Sequence, residues 1–361
     1  MRVIIAAGGT GGHIYPGIAV AQEIMRRNPE SQVRFVGTAR GLESRLVPQA
    51  GFELSLIEST GLKNVAMAAR VKGLVILPRS FVSSMRLIRQ FQPHVVVGAG
   101  GYVSGPVVLA AALTRRRTLV MESNALPGWT NRRLARFVDR AAVSFDQALP
   151  YFRGKGKVTG NPVRREFFEV APKFPTPGEL SILVFGGSQG ARAINEAMIS
   201  ALDALRQLPL ILRIKHQTGA GDFERVQTAY AKYDWEGRAE VRSYIDNMVA
   251  DFAVADLVVC RAGATTTAEL IAAGKASIMV PFPLAADDHQ RKNAEALQAA
   301  GASRMILQKD LTAERLVQEI ADIATSENAV AEMSQESRKL SRGDAAAMAV
   351  DMIEELAGTR K

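Results

Sequence analysis

Arg2-Val3-Ile4-Ile5-Ala6-Ala7 runs directly into Gly8-Gly9-Thr10-Gly11-Gly12-His13, and Ser181-Ile182-Leu183-Val184-Phe185 runs into Gly186-Gly187-Ser188-Gln189-Gly190-Ala191. Each begins as a short apolar run rich in branched residues, the pattern of a strand covered on both faces. Each continues through a glycine-rich turn into a segment of helical period. Strand, glycine turn and helix therefore occur twice, once in each half of the chain. Between them, residues 169–178 hold Pro172, Pro175, Pro177 and Gly178. Proline at that density stops both helices and central strands, so this stretch reads as a linker.

Outward from these two turns, strands are expected at 33–37, 95–98, 118–122 and 141–145 in the first half. In the second half they are expected at 211–216, 241–244, 256–260 and 276–280. Apolar strands alternating with helices give a parallel sheet covered on both faces, wound by right-handed crossovers. The predicted fold is α/β: two Rossmann-like, doubly wound domains, 1–163 and 164–340, facing a cleft, the second entered through 169–178. The last segment, 328–357, is helical in pattern, and 341–361 is expected to pack back on the first domain.

The 361 residues suffice for two domains with separate cores. Hydrophobic residues make up 47% and charged residues 22%, which argues against long disorder. Cys260 is the single cysteine, which excludes a disulfide framework and a cysteine-based zinc site and suits a reducing compartment. The net charge of +9 is unevenly spread: residues 1–163 carry 22 Lys and Arg against 8 Asp and Glu, whereas 164–361 carry 23 against 28. The first half thus faces an anionic partner, nucleic acid or an anionic membrane leaflet. No basic stripe interleaved with stacking aromatics accompanies the charge, and aromatics are 6% of the chain, which weighs against nucleic acid. No apolar run approaches the roughly 18 residues of a membrane span, and the N-terminus reaches glycines too early for a signal peptide.

A third glycine-rich turn, Gly98-Ala99-Gly100-Gly101-Tyr102-Val103-Ser104-Gly105, also follows a predicted strand. Turns of this kind aim backbone N–H groups at an anion beside the positive end of a helix. One alone would suit tight packing; three after strands favour phosphate binding. The dinucleotide fingerprint requires G-x-G-x-x-G and an acid after the second strand. Here that strand ends Val36-Gly37-Thr38-Ala39-Arg40, and no Walker lysine occurs. Two diphosphate sites, one per domain, remain.

These turns resemble the glycine loops of the MurG family of N-acetylglucosamine transferases. Further matches in order are Glu122 with Asn124, Gly160-Asn161-Pro162-Val163-Arg164, the stretch 261–269, and Asp288-His289-Gln290 with Asn293-Ala294. The similarity extends to about Ala300. The family often reads His-Glu-Gln-Asn where this chain reads Met121-Glu122-Ser123-Asn124, so Met121 and Ser123 receive no role. The resemblance implies a GT-B fold and a hexosyltransferase that moves N-acetylglucosamine from UDP-GlcNAc to the C4 hydroxyl of a lipid-linked muramoyl-pentapeptide. Inversion at the anomeric carbon is expected, with no metal and no cofactor; Asp287-Asp288 is not the D-x-D of metal-dependent sugar transferases. The implied place is the cytoplasmic face of the inner membrane, held peripherally, with other wall-synthesis proteins as candidate partners.

By the same resemblance the donor contacts are Thr10, Gly11, Gly12, Asn124, Arg164, Ser188, Gln189, Ile245, Ala264, Thr265, Thr266, Glu269 and Gln290. Ser188 and the loop amides hold the diphosphate, Ile245 the uracil edge, Glu269 the ribose hydroxyls and Gln290 the sugar. Taken alone, Arg164 fits a structural junction arginine equally well, Glu269 a glutamate offsetting a helix dipole, and Gln290 an ordinary helix-surface amide. Acceptor contacts are Gly12, His13, Gly101, Tyr102 and Ser104. The catalytic candidates are His13 and Glu122. Among four histidines, His13 opens a helix at a phosphate-binding turn and ordinarily titrates near neutrality, which suits a base; it could instead donate to the acceptor diphosphate. Glu122 assists that base or anchors a loop. Between residues 70 and 89, Leu74, Val75, Ile76, Leu77, Phe81, Val82 and Met85 alternate with Lys72, Arg79, Arg86 and Arg89. With Arg115-Arg116-Arg117 and Arg132, Arg133, Arg136 and Arg140 in the same half, this reads as a membrane-facing patch, against a core-packed amphipathic helix. A UDP-GlcNAc 2-epimerase of the same architecture is the alternative enzyme.

Overall fold

The computed structural model describes residues 1–39, 41–58, 67–124, 126–173, 175–285, 288–326, 328–341 and 343–358, with the side chains of 67–77 outside that description. The chain divides into two compact units, Met1–Arg164 with Arg342–Lys361, and Arg165–Ser341.

In the first unit, strands β1 (Arg2–Ala7), β2 (Gln32–Gly37), β3 (Glu53–Leu56), β4 (Val95–Gly100), β5 (Arg117–Glu122), β6 (Arg140–Val143) and β7 (Gly156–Val158) form one sheet. Its order is β3-β2-β1-β4-β5-β6-β7, and every pairing is parallel. Successive side chains of a strand point to opposite faces, and both faces are apolar here. Val3 and Ile5 join one core with Ile14, Ile18 and Phe35, while Ile4 and Ala6 join another with Val96, Val107 and Ala110. Helices α1 (Gly11–Arg27), α2 (Glu43–Gln49), α3 (Met67–Phe91), α4 (Gly101–Leu113) and α5 (Trp129–Leu134) complete the layers.

The second unit repeats the plan. Strands β8 (Glu179–Phe185), β9 (Ile211–Gln217), β10 (Ala239–Arg242), β11 (Leu257–Cys260), β12 (Ala276–Met279) and β13 (Ser303–Met305) pair in parallel in the order β10-β9-β8-β11-β12-β13. Around them lie α6 (Arg192–Arg206), α7 (Phe223–Lys232), α8 (Met248–Val254), α9 (Ala264–Ala273), α10 (His289–Ala299), α11 (Ala313–Thr325) and α12 (Ala329–Lys339). In each sheet the strand order reverses once, between β1 and β4 and between β8 and β11. Open α/β sheets bind ligands outside the carboxyl ends of the strands at that reversal. All three glycine-rich turns lie there.

Three short edge strands, β3, β7 and β13, have no counterpart in the sequence reading, because they lack a continuous apolar run. The proline-rich stretch, expected as the entry to the second domain, lies within the second unit. The division falls at Arg164, ahead of the prolines, and the stretch is fastened to the second unit: the Val170 carbonyl accepts from Arg338 at 3.0 Å, and Lys173 pairs with Asp256 at 2.9 Å. The helical tail is split at Gly343, whose φ is +90°. Before it, α12 buries Val330 and Met333 in the second unit. After it, α13 (Ala345–Gly358) sends Val350, Ile353 and Leu356 into the core beside α1, and Arg27 pairs with Asp351 and Glu354.

Candidate functional site

In the first unit, β1 ends in a turn at Gly9 (φ +94°), and α1 starts at Gly11 with Thr10 as an extended N-cap. The first-turn amides of a 17-residue helix, those of Gly11, Gly12 and His13, sit at its positive end. The turn after β4 is locked against this one. A Cβ on Gly101 would lie 2.1 Å from the Gly8 carbonyl oxygen, and one on Gly100 would lie 2.3 Å from His13 Nδ1. Both glycines also take positive φ, +78° and +116°. His13 therefore packs its ring edge on a bare backbone. Burial pushes its pKa below the ordinary 6.5, partly opposed by a hydrogen bond to the Ala99 backbone. The imidazole is neutral at neutral pH.

Tyr102 stands at the start of α4 with its hydroxyl 3.1 Å from Thr38 Oγ1. Ser104, expected to contact the acceptor, does not present its hydroxyl: it is 1% exposed, and its Oγ accepts from Gly100 N at 2.9 Å and lies 2.8 Å from the carbonyls of Ala6 and Gly100. It braces the turn from inside the sheet. Glu122 is also committed. It accepts from Asn124 N (3.0 Å), Asn124 Nδ2 (3.1 Å), Gly128 N (2.9 Å) and Asn131 Nδ2 (2.9 Å). Of its two expected roles, this arrangement is that of a loop anchor. Arg164 stacks over the Tyr15 ring of α1 at 5.2 Å and belongs to the first unit.

In the second unit, residues 186–190 turn tightly after β8, with Gly190 N donating to the Gly187 carbonyl at 3.0 Å. Ser188 and Gln189 are exposed at its tip. The end of β9 supports the loop: a Cβ on Gly190 would meet the Thr218 carbonyl oxygen at 1.8 Å. Gln217, 2% exposed, donates to the Gly187 carbonyl and accepts from Ile245 N, each at 2.8 Å. Nothing in the sequence marked Gln217, an amide at the end of a strand. Beneath it His216 is fully buried between Asn195 Oδ1 (3.1 Å) and the Tyr230 hydroxyl (3.2 Å), and burial pushes its pKa down to about 3.

After β11, Ala264, Thr265 and Thr266 form the first turn of α9. Glu269 is its sixth residue and 8% exposed, so it is neither in the first turn nor a surface group offsetting the dipole. Its charge adds to burial in raising the Cys260 thiol. Gln290, second in α10, accepts from Phe282 N at 3.0 Å through Oε1. Asp287 lies outside the described residues. Among those described, no group of three or more His, Cys, Asp or Glu could hold a metal ion.

Of the apolar residues expected at a membrane, Leu74–Leu77 and Lys72 have side chains outside the description. Phe81 and Met85 pack against the core beside Ile88, as an amphipathic helix does, whereas Val82 is 58% exposed. Trp129 (54%), Leu113 (62%) and Phe137 (40%) are exposed, with Arg133 over Trp129 and Arg136 over Phe137. Among the described residues, Arg79, Arg86, Arg89, Arg115, Arg132, Arg133, Arg136 and Arg140 make no ion pair with a carboxylate.

Two Rossmann-like units, each with a glycine-rich turn at its switch point, define the GT-B fold class. The chain belongs to glycosyltransferase family 28, and within it to the MurG family: residues 3–143 match the family 28 N-terminal domain and residues 181–350 its C-terminal domain. An Anaeromyxobacter sp. (strain Fw109-5) relative named UDP-N-acetylglucosamine–N-acetylmuramyl-(pentapeptide) pyrophosphoryl-undecaprenol N-acetylglucosamine transferase is 48% identical over 100% of this chain and 94% of its own length. A Myxococcus xanthus (strain DK1622) relative of the same name is 45% identical over 99% and 93%. The crystal structure of Acinetobacter baumannii MurG matches with a TM-score of 0.76 at 32% identity, covering 98% of this chain and 99% of that one. A Neisseria meningitidis UDP-GlcNAc 2-epimerase bound to UDP-GlcNAc matches at 0.67 with 14% identity over 98% and 100%, a likeness of fold alone.

Proposed function

We propose that this chain transfers N-acetylglucosamine from UDP-GlcNAc to the C4 hydroxyl of a muramoyl-pentapeptide carried on a polyprenyl diphosphate, with inversion and release of UDP. The observation that carries the reading is 48% identity along the whole chain to a transferase of that name. The second unit holds the donor. The amides of 186–190, with Ser188 and Gln189 at the exposed tip, receive the diphosphate and stabilise the charge that develops on UDP as it leaves. The Ile245 backbone meets the uracil, Ala264, Thr265 and Thr266 line the site, the buried Glu269 accepts from the ribose hydroxyls, and the Gln290 amide nitrogen donates to the sugar.

The first unit holds the acceptor, through Gly12, Gly101 and Tyr102, with Thr10, Gly11 and Asn124 serving the transferred sugar. His13 takes the proton of the attacking hydroxyl while the new C1–O bond forms and the C1–O bond to UDP breaks. Its suitability rests on being neutral where the cell works. Arg164 serves the diphosphate. The membrane reading rests on exposed Trp129, Leu113 and Phe137 among arginines lacking carboxylate partners; no helix of the described residues is long and apolar enough to cross a bilayer. Each basic side chain near an anionic leaflet contributes about 1 kcal/mol.

The deciding assay is UDP release from UDP-GlcNAc with and without the lipid-linked muramoyl-pentapeptide. Acceptor-dependent release with a disaccharide product is expected; consumption of UDP-GlcNAc without acceptor would select the epimerase. For the surface, binding to phosphatidylglycerol vesicles should weaken with salt, and equal binding to neutral vesicles would remove the membrane reading.

A further inference from the structure

Glu43 was not singled out by its sequence, yet it lies at the centre of the first unit's ligand face. As the first residue of the seven-residue α2 it could simply offset that helix's dipole. Its environment is different: it is 0% exposed, and both carboxylate oxygens reach back to the end of β2 and across to the first glycine turn. Oε1 accepts from Thr38 N at 2.8 Å and Thr38 Oγ1 at 2.9 Å, and Oε2 accepts from Gly9 N at 3.0 Å. Thr38 Oγ1 in turn lies 3.1 Å from the Tyr102 hydroxyl. One carboxylate thus joins three segments: the turn after β1, the end of β2 and the start of α4.

The backbone around it is shaped to admit it. A Cβ on Gly37 would stand 2.4 Å from Glu43 Cγ, and one on Gly41 would stand 1.9 Å from Oε2. An acid at the end of the second strand is where dinucleotide-binding folds grip a ribose. Here that place is filled by a carboxylate arriving from α2, with both oxygens taken up by protein donors. It serves the loop instead of a sugar.

We propose that Glu43 is a positioning residue for the acceptor: it locks the Gly9 turn and, through Thr38, the Tyr102 hydroxyl in the arrangement that receives the lipid-linked substrate. This rests on the acceptor assignment above. With Gly9 N–H tied inward, the amides at the open end of α1 are held in one orientation and Tyr102 cannot swing away from the turn.

The test uses the full chain and varies one substrate at a time. Glu43→Gln keeps size and shape but has one acceptor oxygen; its NH2 must face either Gly9 N–H or the Thr38 donors. Thr38→Val keeps the Gly9 tether and removes the link to Tyr102. For Glu43→Gln, KM for the acceptor is expected to rise about tenfold or more, the effect of losing a charge-assisted bond, while KM for UDP-GlcNAc stays within about twofold. Thr38→Val should raise acceptor KM by about three- to tenfold with the donor KM unmoved. UDP titration by calorimetry reports the second unit independently. Unchanged acceptor KM in both variants, or donor and acceptor KM rising together, overturns the proposal. If Glu43→Gln fails to fold, Thr38→Val decides. Absence of acceptor-dependent turnover in the unsubstituted protein would instead strike the transferase reading itself.

Discussion

The Gln217 side chain accepts the Ile245 backbone N–H at 2.8 Å, and with its other end donates to the Gly187 carbonyl at the same distance. A single buried amide therefore ties the glycine turn after β8 to the backbone at Ile245. Gln217→Leu removes both bonds: Ile245 N–H loses its acceptor, while the Gly187 carbonyl keeps only the Gly190 N–H. KM for UDP-GlcNAc should rise about tenfold, corresponding to about 1.5 kcal/mol, with acceptor KM unchanged in initial-rate assays.

His13 has its pKa lowered by burial, so it stays unprotonated below the point where a free histidine gains a proton. The acid limb of the kcat profile should therefore lie below pH 6.5. His13→Gln should lower kcat about 10²- to 10⁴-fold and abolish that limb. Near-normal turnover across pH in the variant would leave His13 only a hydrogen-bond donor to the acceptor.

His216 bears on stability. Its folded pKa is near 3, against an ordinary 6.5 for the unfolded chain. Below pH 6.5 the unfolded state binds a proton that the folded state refuses. Stability contributed by the neutral ring is complete above about 6.5 and is lost progressively as pH falls toward 3. Chemical denaturation between pH 7 and 4 should show this slope, and His216→Gln should flatten it while lowering stability at pH 7 by about 2 kcal/mol through the disturbed Asn195 and Tyr230 bonds.

Two glycines of the donor loop should respond differently to alanine. Gly187 has φ +100° and no atom within 4 Å of a Cβ, so Gly187→Ala meets only backbone strain of about 1–2 kcal/mol. Gly190 has φ +76° and would drive its methyl to 1.8 Å from the Thr218 carbonyl oxygen. Gly190→Ala should cost about 3 kcal/mol or more and abolish UDP binding, measured by denaturation and calorimetry.

Much of this architecture is legible in the sequence. The strands at the sheet centres carry continuous branched apolar runs, and the glycine turns after 7, 98 and 185 announce themselves. Edge strands such as β3 and β7 did not, because half-exposed strands of three or four residues share their composition with loops. The proline stretch reads as a linker because prolines report only what backbone they forbid; that it is fastened to the second unit is a property of the folded chain. The resemblance implies roles for Ser104 and Glu122, yet their partners are Ala6, Gly100, Gly128 and Asn131, which sequence spacing does not reveal.

The sequence by itself determined the two α/β halves, the anion-ready turns and the family, since strand periodicity and glycine placement are local properties of the chain. Tertiary structure decided which polar groups remain available. Glu43 reaches across the sheet to Gly9, Gln217 clamps Gly187 to Ile245, and Ser104 spends its hydroxyl inside the fold. Such commitments depend on distances between segments remote in the chain. A buried donor or acceptor takes the partner that packing places within about 3 Å of it.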